Sequence, residues 1–388
     1  MTDSRPDSFS DANAAGHAGY LRFSNLDVLR GVAALIVILV HYDSEVWRPL
    51  GASTFFYDSA SYLAVDFFIL LSGFVLAHAY FERPDFSPRS FLLRRISRFW
   101  PLHVTGLALM LALFAFTHHP VHQQSLVANA FLIHALGPGH AALGFNAPSW
   151  SLSVELGANM LVAAIFLLTP RKEWIGRILL GLSLACMAYL FFGPGHMHVI
   201  QGHVFNSSLL QEGCVRGLAT FPLGILTYRF FMTHRRSIES FSAFNPFFLG
   251  LVLTAFMGSF LLPGETLMDF VAILLYMAVI LLMAPTTTIW TRWLRGLRGL
   301  GNLSFSLYIT HFFVVSVYAA TISDALPYML GLPIVIAASL MLSWTANRFI
   351  EKPVYAWLIA DNRPALLTIT PRMRERWSLI LRGGLGFR

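Results

Sequence analysis

Long apolar runs are the feature of this 388-residue chain that most constrains its fold. Hydrophobic residues make up 56% of the sequence and charged residues only 12%, which is about half the share in a soluble domain. A helix that crosses a bilayer needs about 20 mostly apolar residues. Ten such runs lie near residues 26–45, 61–80, 100–117, 149–169, 175–193, 213–231, 246–263, 266–285, 303–321 and 330–349. The sequence therefore predicts an all-α polytopic membrane protein with about ten transmembrane helices.

The lysines and arginines concentrate in alternate loops, which predicts the orientation of the chain. If the N-terminus lies in the cytoplasm, all 27 of them except Arg30, Arg48 and Arg216 fall in the tails and cytoplasmic loops. Cytoplasmic loops accumulate basic residues, so we expect both termini inside and a location in the cell (inner) membrane. The net charge of +7 then comes from basic residues on the cytoplasmic side, where they can contact anionic lipid or an anionic cytoplasmic ligand rather than nucleic acid.

Residues 125–137 form a shorter and more polar run that is not counted as a span. A crossing here would move every later loop to the other side and would remove the asymmetry of basic charge. The sequence leaves two interpretations open, a re-entrant segment and an interfacial one.

Composition divides the chain into one membrane domain and two polar tails. The first twenty residues are small and polar, without the apolar segment of a signal peptide. We expect a disordered cytoplasmic tail over residues 1–20, the membrane domain over residues 21–355 and a basic cytoplasmic tail over residues 356–388. Cys186 and Cys214 have neither a metal-ligand spacing nor a disulfide framework, so no metal site is expected.

The first apolar run, LRGVAALIVILVHY, carries an arginine and a histidine in a segment that should lie in lipid. Arg30 and His41 share one face of a helix and lie roughly 16 Å apart. Asp27 precedes Arg30 by one turn and can pair with it. Ionisable groups inside membranes usually mark a pathway or a site, and histidine is suited to moving a proton near neutral pH. A snorkelling arginine and a capping histidine are the structural alternative.

Three further stretches place polar side chains in or beside apolar sequence. Arg95 and Arg98 in RSFLLRRISRFWPLH suit bidentate binding of phosphate, although an ordinary cytoplasmic loop would carry the same charges. Glu155 in PSWSLSVELGANML is expected at the depth of His41, with a structural hydrogen bond as the alternative. His311 in LGNLSFSLYITHFFV is a second intramembrane histidine, which more often packs than reacts.

Together these stretches resemble acyltransferase family 3, the multi-pass O-acyltransferases that modify bacterial sugars and related molecules. The resemblance rests on LDVLRGVAALIVILVHY, VDFFILLSGFVLAHAY, RRISRFWP, WSLSVE and SFSLYITHF, in the family's order, and on a final EKP. It covers residues from about 20 to 355. Phe305 and Thr310 stand where the family often has tyrosine and tryptophan. We expect the stand-alone form, without a fused hydrolase-like domain.

This resemblance implies a co-substrate, an acceptor and roles for individual residues. The donor is expected to be cytoplasmic acyl-CoA, with acetyl as the expected group and no bound cofactor, and the acceptor a hydroxyl group of a sugar, glycan or glycolipid. His41 is expected to be the general base, oriented by Glu155, with an acyl-histidine intermediate as the alternative. The remaining expected roles are donor binding by Arg30, Arg95, Arg98 and His311, acceptor binding by Trp150 and Arg216, and structural support by Asp27 and Asp66.

A proton-coupled transporter or flippase is the main alternative, because ten spans with buried arginine, histidine and glutamate also fit a carrier. A sensor or assembly subunit, whose polar residues only hold helices together, is the third candidate. The sequence shows neither repeat halves nor paired broken helices, which many carriers have. This favours the enzyme.

Overall fold

A computed structural model describes residues 23–47, 56, 59–121, 123–136, 144–192, 212–262, 266–285, 293–323 and 325–360 of the chain, and these residues form a helical bundle. Within these residues the α-helices, in chain order, are α1 (Ser24–Tyr42), α2 (Ala64–Leu76), α3 (Pro88–Phe116), α4 (Gln123–Ala130), α5 (Trp150–Leu168), α6 (Lys172–Phe192), α7 (Glu212–Thr233), α8 (Arg235–Phe244), α9 (Pro246–Ser259), α10 (Thr266–Met283), α11 (Arg298–Thr321), α12 (Tyr328–Ala346) and α13 (Lys352–Ala360). Single π-helical turns extend α1 over Asp43–Trp47 and α2 over Ala77–Phe81, and another joins α12 to α13 over Asn347–Glu351. The tail expected over residues 1–20 lies outside the described residues, as does the tail expected over residues 356–388 beyond the end of α13.

Helix boundaries follow local sequence signals. Ser87 caps α3 by accepting a hydrogen bond from the backbone N–H of Ser90, and Pro88 occupies the first turn, where a missing N–H costs nothing. Pro246 separates α8 from α9, because a proline disfavours helical geometry in the residue before it. The two helices therefore meet at 95°.

The helices coincide with the ten predicted apolar runs, but fewer of them are long and apolar enough to cross a bilayer unaided. Among the described residues seven helices meet that requirement, or up to eight if the bent pair α8–α9 is one span. Helix α10 contributes a shorter apolar segment, Leu267–Met283. The prediction of an all-α polytopic membrane protein is confirmed, whereas the count of ten and the direction of insertion stay predictions.

The run at 125–137 is too short in the structure to cross a membrane. Helix α4 has eight residues, or about 12 Å, and only turns follow as far as Leu136. The indole Nε1 of Trp100 donates to the carbonyl of Ala130 at 3.0 Å, and His103 Nε2 lies 2.7 Å from the carbonyl of Asn129. The segment therefore packs against the middle of α3, and its re-entrant or interfacial placement stays a prediction.

Contacts between distant segments show which helix ends share a side of the bundle. Beyond the end of α2, Glu82 accepts a hydrogen bond at 2.7 Å from Arg229 near the end of α7. At the opposite side Ser61, before α2, donates to the carbonyl of Phe260 after α9 at 2.6 Å. Both contacts join ends that the alternating spans place on the same side.

Two close helix contacts form the centre of the bundle. Where α2 meets α7, a Cβ added to Gly73 would collide with the carbonyl of Phe221, and one added to Gly224 would collide with the α2 backbone. Where α1 meets α11, a Cβ on Gly301 would collide with the carbonyl of Asp27. Small residues allow such close approach of helix backbones in membranes. The α1–α11 contact matters most, because both helices carry site residues.

We expect Gly73→Ala and Gly224→Ala each to destabilise the protein, because the new methyl group meets backbone atoms that cannot rotate away. Overpacking of this kind costs about 1–3 kcal/mol. Gly181→Ala in α6 is the matched control, since no atom lies within 4 Å of its added Cβ. Thermal unfolding in detergent should give lower midpoints for the first two variants only. Equal midpoints for all three would contradict the close contact.

Candidate active site

A cavity of about 290 Å³ lies between α1, α2, α3, α5 and α11. One end of its lining is polar and the other is mostly apolar. The polar end comprises Asp27, Arg30, Ser72, Arg95, Arg98, Glu155 and Ser304 together with the apolar side chains of Val75, Leu76, Phe99 and Phe305, and the other end comprises Val65, Phe68, Ser151, Leu152 and Tyr308. Three arginines that are distant in sequence therefore meet at one end of a single cavity.

Arg95 is the central cation of the polar end. Its guanidinium forms an ion pair with Glu155, and the hydroxyl of Ser72 donates to the same carboxylate oxygen. The guanidinium also lies over the ring of Phe99, 4.2 Å from the centroid, where a cation is attracted to the aromatic face. Its Nε is buried and has no hydrogen-bond partner among the described residues. A donor for a ligand oxygen is thus available beside the ion pair.

Arg98 and Arg30 complete the cationic end, and each also has a carboxylate partner. Arg98 lies 3.3 Å from Glu351, and its side chain is 36% exposed, so it forms the open edge of the group. Arg30 donates to Asp27 at 2.7 Å and to the hydroxyl of Ser304 at 2.9 Å. The pairing of Arg30 with Asp27 is the one that their sequence spacing predicted.

His41 lies against His311 rather than in the cavity. The Nε2 of His311 is 3.2 Å from the Nδ1 of His41, and each Nδ1 lies within 3.0 Å of the carbonyl four residues earlier, Leu307 and Val37 respectively. A carbonyl oxygen can only accept a hydrogen bond. Both Nδ1 atoms must therefore carry the proton in the neutral state, which leaves Nε2 of His41 as its basic atom.

Tyr308 lies between the cavity and the histidine pair. It lines the cavity, while its ring centroid is 6.1 Å from that of His311, one turn later on α11. Its hydroxyl donates to the carbonyl of Pro148 at 3.0 Å and lies 2.6 Å from the hydroxyl of Ser151. The polar cavity thus ends one helical turn before the imidazole pair.

Comparison with known proteins identifies the family of the chain. A family model described as an acyltransferase domain, acyltransferase 3, matches residues 23–348. The chain belongs to the acyltransferase 3 family. It is a membrane acyltransferase, and this membership favours the enzyme over the carrier that the sequence alone left open.

Two proteins are similar to parts of this acyltransferase. Protein 2 in picA locus of Rhizobium radiobacter is 36% identical over 163 residues, which are 37% of this chain and 81% of that protein. Acyltransferase MdmB of Streptomyces mycarofaciens is 33% identical over 144 residues, or 35% of this chain and 37% of that protein. No solved structure matches the acyltransferase.

Two of the predicted site residues lie elsewhere than the sequence suggested. Glu155 was expected beside His41, but its carboxylate pairs with Arg95 at the polar end of the cavity, because α5 packs against the first turns of α3. His311 was expected at the donor, yet it contacts His41 and is not among the residues that line the cavity. In the structure, His311 rather than Glu155 is therefore the neighbour of His41.

Arg216 of the acyltransferase is buried inside the bundle. It forms an ion pair with Asp66, and the two side chains are 5% and 3% exposed. Its guanidinium also lies over the ring of Tyr62 at 5.0 Å. This placement does not support acceptor binding by Arg216; it joins α7 to α2, which gives Asp66 a supporting contact. Trp150, at the start of α5, is half-buried and packs against the main hydrophobic core.

Several site residues carried too little sequence signal to be assigned a role. Ser72 and Ser304 are small hydroxyl residues within apolar stretches, and serines in helices usually bond their own helix backbone, as Ser304 does with the carbonyl of Gly301. Glu351 lies in the EKP motif, which does not reveal that it pairs with Arg98 and accepts a hydrogen bond from Ser306. Phe68 looks like any lipid-facing or core aromatic in its run. Only the packing of the helices brings Phe68, Ser72 and Ser304 to one cavity and Glu351 to Arg98 beside it.

We expect Asp66→Ala to destabilise the acyltransferase by about 3–5 kcal/mol, because it removes the carboxylate that pairs with the buried Arg216 guanidinium. The double variant Asp66→Asn with Arg216→Gln removes both charges and should recover part of that loss. Thermal unfolding of the two variants and the wild type in detergent tests this. If Asp66→Ala unfolds like the wild type, the pair is not a structural contact.

Proposed function

We propose that the protein transfers an acyl group, with acetyl as the expected one, from cytoplasmic acyl-CoA to a hydroxyl group of a sugar, glycan or glycolipid. The inner membrane is the proposed location, with both termini in the cytoplasm. One observation carries the proposal: three arginines meet at one end of a cavity whose other end stops one turn before His41 and His311.

The polar end suits the phosphate groups of the donor. Phosphate oxygens are bound best by the planar, bidentate guanidinium group. Arg98 is the exposed member of the group. Arg95 offers a free Nε–H, which can bind a phosphate oxygen while Glu155 stays paired with the same guanidinium. The pantetheine arm would follow the cavity towards Tyr308 and would carry the thioester towards the histidine pair.

His41 suits the role of general base. Its Nδ1–H is bound by the carbonyl of Val37 and by His311, so Nε2 has the lone pair that accepts a proton. The acceptor oxygen attacks the thioester carbonyl as its proton passes to Nε2 of His41. The C–S bond then breaks, and the leaving thiolate takes that proton, which yields the ester and the CoA thiol. We propose this direct transfer, with the acyl-histidine route as the alternative.

The acceptor is proposed to reach His41 from the side opposite the donor. His41 is half-buried and does not line the cavity, so the donor side is not the only direction from which it can be approached. This position at the predicted outer end of α1 fits an acceptor presented outside the cell or within the membrane. Donor and acceptor would then approach the same group from two directions.

Loss of the base should abolish transfer without loss of the fold. We expect His41→Ala and His41→Asn to be inactive, since neither can accept the proton, while the asparagine amide keeps a hydrogen-bond donor towards His311. His119→Asn, at an exposed histidine, is the control. Membranes supplied with radiolabelled acetyl-CoA should label one glycan or lipid fraction with the wild type and the control only. Full labelling with His41→Asn would remove His41 from the mechanism.

The arginine at the open edge should affect donor binding more than turnover. We expect Arg98→Gln to raise the KM for acyl-CoA about tenfold or more, because a hydrogen bond to a charged group contributes about 1.5–3 kcal/mol. Arg89→Ala is the matched control, an exposed arginine of α3 that does not line the cavity. Initial rates over a range of acetyl-CoA concentrations test this. A KM equal to that of the control would show that Arg98 does not bind the donor and contributes only to the basic charge of a cytoplasmic loop.

A further inference from the structure

We infer that Phe68, backed by Tyr308, closes the acyl end of the donor cavity and restricts the donor to short acyl groups. This inference rests on the proposed function and adds a residue that determines which acyl-CoA is used. It starts from the shape of the cavity along α2, the helix that lines it over its full length.

One face of α2 forms a continuous wall of the cavity. Val65, Phe68, Ser72 and Leu76 all line it, at the spacing of successive turns, and they span about 16 Å along the helix. Ser72 marks the charged region, since it donates to the carboxylate that holds Arg95. Phe68 lies one turn beyond this serine, on the side away from the arginines, and Val65, one turn further, lines the same end of the cavity.

The ring of Phe68 is supported from behind. Its centroid lies 5.4 Å from that of Tyr308 at an interplanar angle of 67°, the edge-to-face geometry that aromatic pairs prefer. It also packs against a buried cluster that includes Ala34 and Ile38 of α1 and Leu307 of α11. Ile38 precedes His41 by one turn. Phe68 therefore fills the space between the end of the cavity and the helix that carries the base.

Tyr308 cannot easily turn away from Phe68. Its hydroxyl is held by the carbonyl of Pro148 and by Ser151, and its side chain is only 6% exposed. A well-packed interior resists the insertion of even one methylene group. The two rings therefore act as a fixed stop at this end of the cavity.

Such a stop discriminates by chain length. One additional methylene in a closed apolar pocket changes selectivity by about 10- to 200-fold. We expect the purified wild type in detergent to bind acetyl-CoA with higher affinity than hexanoyl-CoA by at least about tenfold. The measurement is displacement of bound radiolabelled acetyl-CoA by unlabelled acetyl-, butyryl- or hexanoyl-CoA, which needs no acceptor.

Phe68→Ala should reduce the difference between hexanoyl- and acetyl-CoA to less than about threefold, because it removes the stop. Val75→Ala is the matched control: Val75 also lines the cavity from α2, two turns nearer the arginines, and this variant should keep the wild-type ratio. If Phe68→Ala does not fold, Phe68→Leu shortens the side chain more gently and should give an intermediate ratio.

The outcomes separate this inference from the proposed function. A wild type that binds acetyl-CoA but accepts hexanoyl-CoA equally well overturns the stop. Phe68 variants that keep the affinity ratio of Val75→Ala overturn it as well. A folded wild type that binds none of the three thioesters contradicts the proposed donor itself.

Discussion

The close contact between α1 and α11 is the constraint on which the rest of the site depends. Gly31 and Gly301 allow the two helix backbones to approach until no side chain fits between them. This contact brings Arg30 to Ser304 at one level and His41 to His311 at another. The contact between α1 and α11 fixes the position of both residue pairs, because each helix is rigid over the distance between Arg30–Ser304 and His41–His311. The charged end of the cavity and the imidazole pair thus keep a fixed separation.

Much of the fold could be predicted from the sequence, because bilayer thickness imposes a length on each apolar run. The ten predicted runs all coincide with helices, and the alternating charge agrees with the ends that lie together. The bend between α8 and α9 and the shortness of α10 were harder to predict. A window of apolar residues shows neither how a helix is joined to the preceding one nor where a helix ends. Pro246 carried that signal, but it stood at the edge of the run.

The site was predicted unevenly, for a physical reason. Residues related by helical periodicity were placed correctly relative to each other: Asp27 does pair with Arg30. Residues on different helices were not, because their proximity depends on how the helices pack and how deep each begins. Glu155 was assigned a depth from topology alone, and the packing of α5 against α3 places it at Arg95. His311 became the neighbour of His41 only through the α1–α11 contact.

The pairing of each cavity arginine with a carboxylate has a consequence for selectivity among anions. With Asp27, Glu155 and Glu351 opposite Arg30, Arg95 and Arg98, the formal charges of these six groups cancel. An anion that enters does not meet a bare cluster; apart from the unpartnered Nε–H of Arg95, it competes with a resident carboxylate for the N–H groups. Free phosphate or a lone nucleotide therefore gains little on exchange. Only a molecule that is also held along the apolar part of the cavity gains enough to remain, so retention depends on length as well as charge.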